Sequence, residues 1–166
     1  MSNENPLVGV VMGSTSDADV MEGCTEILKQ LMVPHEVRVI SAHRTPERTR
    51  QYAESAAERG LEVIIAGAGW AAHLAGFIAA HTTLPVIGIP IDSSPLQGMD
   101  ALLSTVQMPP GIPVATVALG KGGAKNAAVL AAQILALKHA PIAKKLKAYR
   151  EGLKKEAIAK AKDFEK

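Results

Sequence analysis

Five short segments rich in aliphatic residues alternate along this chain with longer segments of helical periodicity. The aliphatic segments have the length of β-strands and cover residues 7–12, 36–40, 61–66, 84–89 and 114–119. Strands separated by helices of this length form right-handed βαβ units and a parallel sheet. We therefore predict an α/β fold, a three-layer αβα domain with a flavodoxin-like or Rossmann-like parallel sheet of about five strands and an extra C-terminal helix.

The intervening segments carry the apolar spacing of amphipathic helices. A capping hydroxyl, a proline and an acid at Thr45, Pro46 and Glu47 indicate where one of them begins. The helices are predicted over residues 17–32, 46–59, a stretch ending near 80, 99–106, 127–137 and 141–163. Residues 120–126 are rich in glycine and are predicted as a turn that leads into the fifth helix.

The length of 166 residues favours a single α/β domain over residues 1–166, with its core over 7–138. Hydrophobic residues make up 48% of the sequence and aromatic residues only 3%, so Ala, Val, Ile and Leu must build the core. The last predicted helix, about 141–163, carries an apolar stripe between charged residues. We therefore expect another surface to pack on this stripe, either from the same domain or from a neighbouring subunit.

Composition argues against several classes of protein. A net charge of +2 is too small to favour nucleic acid binding. The single cysteine, Cys24, allows no disulfide within the chain and is expected to be a buried, inert thiol. No apolar run reaches the ~18 residues of a membrane span, and residues 1–6 do not resemble a signal peptide. We therefore expect a cytoplasmic protein that binds neither nucleic acid nor membranes.

Ligands of open parallel sheets bind at the carboxyl ends of the strands, and the first loop there covers residues 13–17. Its small residues, hydroxyls and backbone N–H groups suit a phosphate, and Asp17 suits ribose hydroxyls. Helix capping by Ser16 or Asp17 would explain the same residues without a ligand. The loop lacks the dinucleotide fingerprint and the P-loop pattern, which disfavours NAD and ATP.

The second loop covers residues 41–46 and contains adjacent His43 and Arg44. Histidine is the side-chain type that exchanges a proton near neutral pH. Arginine can hold a phosphate with its planar guanidinium group. The pair at a strand end indicates proton transfer on an anionic substrate, and a solvated loop with an incidental histidine is the alternative.

The third loop covers residues 67–76 and is rich in glycine, so its backbone can approach a ligand closely. His73 in this loop is either a substrate-binding or a structural residue. Trp70, the only tryptophan, could stack on a flat heterocycle, pack in a subunit interface or partly fill the pocket. No cluster of Cys, His or carboxylates has metal-ligand spacing, and no Gly-x-Ser-x-Gly motif indicates an α/β-hydrolase. The remaining histidines are predicted to be structural or surface residues: His35, His81 and His139.

Several motifs in these loops resemble the class I N5-carboxyaminoimidazole ribonucleotide mutase family, the catalytic subunit of phosphoribosylaminoimidazole carboxylase. They are Met-Gly-Ser-Thr-Ser-Asp at 12–17, Ser-Ala-His-Arg-Thr-Pro at 41–46, Ala-Gly-Ala-Gly at 66–69 with Ala-Ala-His-Leu at 71–74, and Ser-Thr-Val-Gln-Met-Pro at 104–109 with Gly-Ile-Pro-Val at 111–114. Residues 120–135 also match the family's glycine-rich turn and helix. The resemblance extends from residue 7 to about 149, and the order of its separate motifs makes it specific.

The resemblance implies a homo-octamer with active sites near subunit contacts. It implies conversion of N5-carboxyaminoimidazole ribonucleotide to 4-carboxy-5-aminoimidazole ribonucleotide in de novo purine biosynthesis, with no metal, nucleotide cofactor or biotin. His43 is then the general acid and base. The ribose phosphate is then bound by Ser14, Asp17 and Arg44. The base and the migrating carboxylate are surrounded by His73 and the backbone of residues 69–72. The implied substrate-binding residues are Ser14, Asp17, Ser41, Arg44, Gly69, Ala71, His73 and Leu74.

Two positions depart from the family pattern, since Trp70 stands where glycine is common and Ala75 where proline is common. Larger residues occur at the Trp70 position in some branches, and we expect the indole to lie beside the base site without blocking it. Two alternatives to the mutase are a class II enzyme, which carboxylates aminoimidazole ribonucleotide directly with carbon dioxide, and a non-catalytic nucleotide-binding module.

Overall fold

A computed structural model describes residues 5–165 of the protein. In it, a parallel sheet lies between two layers of helices. The strands are β1 (Val8–Met12), β2 (His35–Val39), β3 (Val63–Gly69), β4 (Val86–Ile91) and β5 (Ala115–Thr116). Their order is β2-β1-β3-β4-β5, and all neighbours are parallel. This is the strand order of a flavodoxin-like sheet, so the predicted fold class is confirmed.

The helices lie on both faces of the sheet and follow the strands in alternation. Their bounds are α1 (Ala18–Gln30), α2 (Pro46–Ser55), α3 (Leu74–Ala79), α4 (Met99–Val106), α5 (Gly120–Ala136) and α6 (Ala140–Phe164). A short 3-10 turn at Thr15–Asp17 precedes α1. The start of α2 at Pro46 and both ends of α4 agree with the prediction from the sequence.

Two apolar layers hold the sheet between its helices. Val10 and Ile65 pack on one face in the same cluster as residues of α1, α5 and the start of α6. Val11 and Ile64 point to the other face and pack in a cluster with residues of α2 and α3. Neighbouring side chains of a strand point to opposite faces, so a sheet covered on both faces needs continuous apolar strands. That requirement explains the aliphatic runs of the sequence.

The predicted turn over residues 120–126 is wrong, because α5 begins at Gly120 and includes these glycines. A Cβ atom at Gly123 would overlap the carbonyl oxygen of Ala118. Glycine there permits a close approach of the helix to the preceding segment rather than a turn. Near it, β5 is shorter than predicted because only Ala115 and Thr116 pair with β4 at the edge of the sheet.

Strand β3 ends later than predicted, and α2 ends earlier. Gly67 and Gly69 pair with Ile89 and Ile91 of β4, so the glycines belong to the strand. A Cβ atom at Gly67 would overlap the sulfur of Met21 on α1, which explains why a strand residue is glycine there. After α2 ends at Ser55, the chain reaches the next strand through a turn at Gly60, whose φ is 91°.

The last helix, α6, leaves the body of the domain. Ile142 is its one buried residue within the part of the chain that the structure describes. Leu153 and Ile158 are 45% and 47% exposed, so the described part of the chain covers the far half of the helix only partly. None of the helices within residues 5–165 is long and apolar enough to cross a membrane.

Candidate active site

A cavity of about 490 Å³ opens at the carboxyl ends of β1, β2 and β3. In the sheet, β2 lies on one side of β1 and β3 lies on the other, so the strand order reverses direction at β1. The cavity lies at this reversal point, which is where flavodoxin-like sheets bind ligands. All the site residues predicted from the sequence lie in its wall. These are Ser14, Asp17, Ser41, His43, Arg44, Gly69, Ala71, His73 and Leu74.

In the first loop of the cavity, Ser14 is a structural cap and Asp17 is not. The Ser14 hydroxyl accepts hydrogen bonds from the backbone N–H of Ser16 at 3.2 Å and from its hydroxyl at 2.9 Å. Asp17 precedes α1 but makes no capping hydrogen bond through its side chain. Burial raises the pKa of the Asp17 carboxyl, against hydrogen bonds with Ser14 and Ser16 that lower it. Capping alone therefore leaves this buried carboxyl unexplained.

The second loop is a closed turn that presents His43 and Arg44. The carbonyl oxygen of Ser41 accepts hydrogen bonds from the backbone N–H of Thr45 at 2.8 Å and from its hydroxyl at 2.9 Å. The hydroxyl of Ser41 accepts a third from the backbone N–H of Arg44 at 3.2 Å. Pro46 then begins α2. The turn is fixed at its base, and the side chains of His43 and Arg44 at its tip are exposed and line the cavity.

The two histidines of the cavity form a direct pair. Nε2 of His43 lies 2.8 Å from Nδ1 of His73, and the ring planes meet at 75° with their centroids 4.9 Å apart. His73 is anchored at the start of α3, where its carbonyl accepts the backbone N–H of Phe77 at 2.8 Å. One ring must donate and the other accept, so each fixes the tautomer of its partner.

The third loop begins where β3 ends at Gly69. A Cβ atom at Gly69 would overlap the hydroxyl of Ser93 and lie 3.2 Å from the carbonyl oxygen of Ile91. Trp70 follows in the left-handed region with a φ of 56°, and its side chain is 59% exposed. Leu74, buried in α3, anchors the far end of the loop.

Some residues of the cavity were not among the predicted site residues. Ser93 lies in the loop after β4, two residues beyond the end of the strand, so the rule that ligands bind at strand ends would have found it if applied to the fourth strand. Trp70, for which the sequence left a pocket role open, also lies in the wall. The others are small residues that flank predicted ones, and they are Gly13, Ser16, Ala42 and Ala68.

The cavity has the chemistry of an anion site with a proton-transfer group. Arg44 supplies a guanidinium that can form paired hydrogen bonds with phosphate, and His43 with His73 can hold and move a proton. Within residues 5–165, no group of three or more His, Cys, Asp or Glu side chains is arranged to hold a metal ion. The fold and the cavity define an α/β protein of the flavodoxin-like class with a cavity whose side chains suit a phosphorylated ligand.

The chain belongs to the AIR carboxylase family, whose model matches residues 7–156. It is 57% identical over 165 residues to the N5-carboxyaminoimidazole ribonucleotide mutase of Pyrococcus horikoshii, covering 99% of this chain and 92% of that protein. It is 58% identical over 153 residues to the protein of the same name from Bacillus subtilis, covering 92% and 94%.

A solved structure extends this similarity to three dimensions. The crystal structure of Treponema denticola PurE superimposes with a TM-score of 0.86 at 32% identity and covers 97% of this chain and 99% of that one. The family match, the relatives and the solved structure each span nearly the whole chain, so the similarity includes the fold as well as the site loops.

Proposed function

We propose that the protein is an N5-carboxyaminoimidazole ribonucleotide mutase of de novo purine biosynthesis. The observation that carries the proposal is the hydrogen-bonded pair of His43 and His73 in one cavity with Arg44 and Asp17. Relatives of that name are more than half identical to the chain over nearly its full length. The reaction moves a carboxylate from the exocyclic nitrogen to a ring carbon of aminoimidazole ribonucleotide.

The substrate's ribose phosphate binds on the side of the cavity formed by the first two loops. Arg44 pairs with the phosphate, and the Ser14 hydroxyl donates a further hydrogen bond to it. The buried carboxyl of Asp17 accepts hydrogen bonds from the ribose hydroxyls. Ser41 fixes the turn that carries His43 and Arg44. These contacts hold the base in one position relative to His43, which is the main requirement for a transfer within one molecule.

His43 carries the proton through both halves of the reaction. In its protonated form it gives a proton to the exocyclic nitrogen as the bond from that nitrogen to the carboxylate breaks, leaving aminoimidazole ribonucleotide and carbon dioxide. The ring carbon then attacks carbon dioxide, and neutral His43 removes the proton from that carbon. The histidine ends as it began, so no external acid is consumed. Groups of this kind typically contribute ~10²–10⁴-fold to a rate.

The rest of the cavity wall surrounds the base and the migrating carboxylate. His73 orients the ring of His43 through their hydrogen bond. The backbone from Gly69 to Ala71 approaches the base closely, and Leu74 supplies an apolar surface that limits the escape of carbon dioxide. Carbon dioxide is released and recaptured in the same cavity, so the proposed reaction needs no metal, nucleotide cofactor or biotin.

The proposal includes a cytoplasmic homo-octamer built from single-domain subunits. Met99, Leu103 and Val106 recur on one side of α4 at helical spacing and are 54%, 50% and 46% exposed. Exposed apolar stripes of this kind indicate a subunit contact. The exposed half of α6 is a second candidate surface for a neighbouring subunit.

The test is turnover of purified protein with N5-carboxyaminoimidazole ribonucleotide in the absence of ATP. The mutase forms 4-carboxy-5-aminoimidazole ribonucleotide, detected by chromatography and mass spectrometry. Faster product formation from aminoimidazole ribonucleotide with bicarbonate would instead assign direct carboxylation. Ligand-induced thermal stabilisation with neither activity would assign a binding module.

The variant His43→Asn tests the acid and base. We expect it to retain ligand binding and lose activity by ~10²–10⁴-fold, because asparagine preserves polarity but cannot carry the proton. His139→Asn is the matched control, since His139 pairs with Glu62. Glu62 lies just before β3, at the amino ends of the strands and away from the cavity. Near-normal turnover in His43→Asn would remove His43 from the mechanism.

A further inference from the structure

Trp70 holds a backbone conformation that bulky residues rarely adopt. Its φ is 56°, in the left-handed region, where a side chain with a Cβ atom is strained. Such strain persists where the surrounding structure enforces it, and it is concentrated at ligand sites. The strain at Trp70 therefore needs a reason that packing or function supplies.

Packing within the chain does not supply that reason. The Trp70 side chain is 59% exposed, so most of the largest apolar side chain of the protein remains in water. A tryptophan gains stability chiefly by burying its large surface, and here much of that gain is absent. Glycine at the same position would lose little packing and would remove the strain. The indole lines the same cavity as His43 and Arg44.

One side of the cavity wall is polar and the other is mostly apolar. The loops after β1 and β2 contribute hydroxyls, a carboxyl and a guanidinium, which suit the ribose and the phosphate. The other side, at the end of β3 and in the loop after it, contributes Ala68, Ala71 and Leu74 together with the indole of Trp70, and His73 and Ser93 add polar groups there. A nucleotide that places its phosphate on the polar side extends its base towards this apolar side, where Trp70 offers the one large flat surface of the described cavity wall.

We propose that Trp70 determines specificity for the base by stacking its indole against the flat five-membered ring of the bound ribonucleotide. The inference rests on the proposed function, which supplies the ribonucleotide. Stacking has no strict demand on hydrogen-bond pattern, so it favours an aromatic ring over a bare sugar phosphate. The strained backbone is the means by which the indole is held at the cavity rather than folded against the protein.

Fluorescence provides the first test, because Trp70 is the only tryptophan of the chain. The probes are aminoimidazole ribonucleotide and ribose 5-phosphate, which share the phosphate and sugar and differ in the base. We expect a saturable change of tryptophan emission with the ribonucleotide and a much smaller change with the sugar phosphate. Equal changes with both probes would overturn the proposal.

The variants Trp70→Gly and Trp70→Phe provide the second test. We expect Trp70→Gly to bind aminoimidazole ribonucleotide about fivefold or more weakly, the low end for loss of one base stack, while its affinity for ribose 5-phosphate is unchanged. Its melting temperature without ligand should rise, because the strain is gone. Trp70→Phe should keep most of the affinity for the ribonucleotide. Weaker binding together with higher stability is an outcome that a merely structural tryptophan would not give.

Two outcomes with Trp70→Gly would overturn the proposal. One is unchanged affinity for the ribonucleotide, and the other is a smaller oligomer by native mass spectrometry, which would assign the indole to a subunit contact. Mutase turnover of the unaltered protein separates this failure from failure of the proposed function. Normal turnover with either outcome overturns only the role of Trp70, whereas absence of both turnover and ribonucleotide binding overturns both.

Discussion

The hydrogen bond of 2.8 Å between Nε2 of His43 and Nδ1 of His73 joins two loops whose strands are not neighbours. His43 follows β2 and His73 follows β3, and β1 lies between those strands in the sheet. The bond therefore joins two parts of the cavity wall and ties the orientation of the proposed acid to the start of α3.

Removing the nitrogen partner of His43 should slow the reaction without preventing binding. We expect His73→Phe, which keeps a flat ring, to lower kcat roughly tenfold to a hundredfold, less than loss of the acid itself. KM should change much less, because the contacts proposed for the ribose phosphate lie in the other two loops. Steady-state kinetics of the variant and of the unaltered protein check this expectation. An unchanged kcat would show that the hydrogen bond between the two histidines does not contribute to the reaction.

Arg44 should contribute to the affinity for ribose 5-phosphate, whereas the nearby Arg48 should not. Loss of a charge-assisted hydrogen bond costs about 1.5–3 kcal/mol, so we expect Arg44→Ala to weaken binding of ribose 5-phosphate roughly tenfold to a hundredfold. Arg48→Ala is the matched control, because Arg48 is exposed on α2 and outside the cavity wall. Isothermal titration calorimetry measures both. Equal losses in the two variants would show that general positive charge, not a phosphate contact, is responsible.

Gly69 should tolerate no side chain, because a Cβ atom there would overlap the hydroxyl of Ser93. Forced contacts of this kind cost about 1–3 kcal/mol, and the loop carrying Trp70 must shift to relieve them. We expect Gly69→Ala to lower the stability by that amount and kcat/KM by at least about tenfold. Gly122→Ala is the control, because a Cβ atom at Gly122 meets nothing within 4 Å. Chemical denaturation and kinetics on both variants test the prediction.

The sequence located the loops of the cavity better than the boundaries of the elements around it. Strand-end loops with chemically distinctive residues, such as His43 and Arg44, can be located because a parallel sheet brings all its carboxyl ends to one edge. Gly67 and Gly123 misled the prediction, since glycine signals a turn locally but here permits contact with Met21 and Ala118. The contact with Met21 comes from a distant part of the chain, and the contact with Ala118 depends on the path of the segment before α5, so the local pattern contains neither.

The left-handed backbone conformation at Trp70 could not be predicted from the local sequence pattern, for a related reason. The sequence places a bulky residue after Gly69, and nothing in its type indicates a positive φ. The pairing of His43 with His73 likewise depends on how far two loops project above the sheet. Sequence reasoning placed both histidines at one edge, and only the folded chain fixes the distance between their nitrogen atoms.

Glu36 on β2 should make the free energy of unfolding depend on pH in the acidic range. It accepts hydrogen bonds from Arg59 at 2.7 Å, Tyr52 at 3.0 Å and Arg38 at 2.7 Å. Burial would raise the pKa of Glu36, but hydrogen bonds from Arg59 and Tyr52 and the charges of both arginines outweigh it, so the pKa lies below its usual value of 4.5. The stabilisation is therefore fully present above about pH 4.5 and is lost as the pH falls through the lower folded value.

The variant Glu36→Gln should remove this dependence. We expect a free energy of unfolding about 1.5–3 kcal/mol lower at pH 7 and a smaller further loss in acid than in the unaltered protein. Glu58→Gln is the control, because Glu58 is exposed. Urea denaturation at pH 7 and pH 4 measures both. An identical acid response of Glu36→Gln and the unaltered protein would assign the acid sensitivity to other carboxyls.

A charge in the apolar stripe of α4 should break the proposed octamer. Leu103 is 50% exposed at the centre of that stripe, and an aspartate there would bury a charge in any contact that covers it. We expect Leu103→Asp to yield smaller species in native mass spectrometry and light scattering. Leu137→Asp is the control, since Leu137 is 90% exposed at the end of α5. An intact octamer in Leu103→Asp would place the subunit contact elsewhere.

The cavity draws its wall from loops after β1, β2, β3 and β4, so it exists only when these four strands are assembled. Ser14 and Ser93 lie far apart in the sequence, and pairing of β3 with β4 is needed before both reach one pocket. A nascent chain or a proteolytic fragment that lacks one of these four strands has an incomplete pocket. Ligand affinity is thus a direct reporter of finished folding, and a bound nucleotide should protect distant strands from hydrogen exchange as strongly as it protects its own loops.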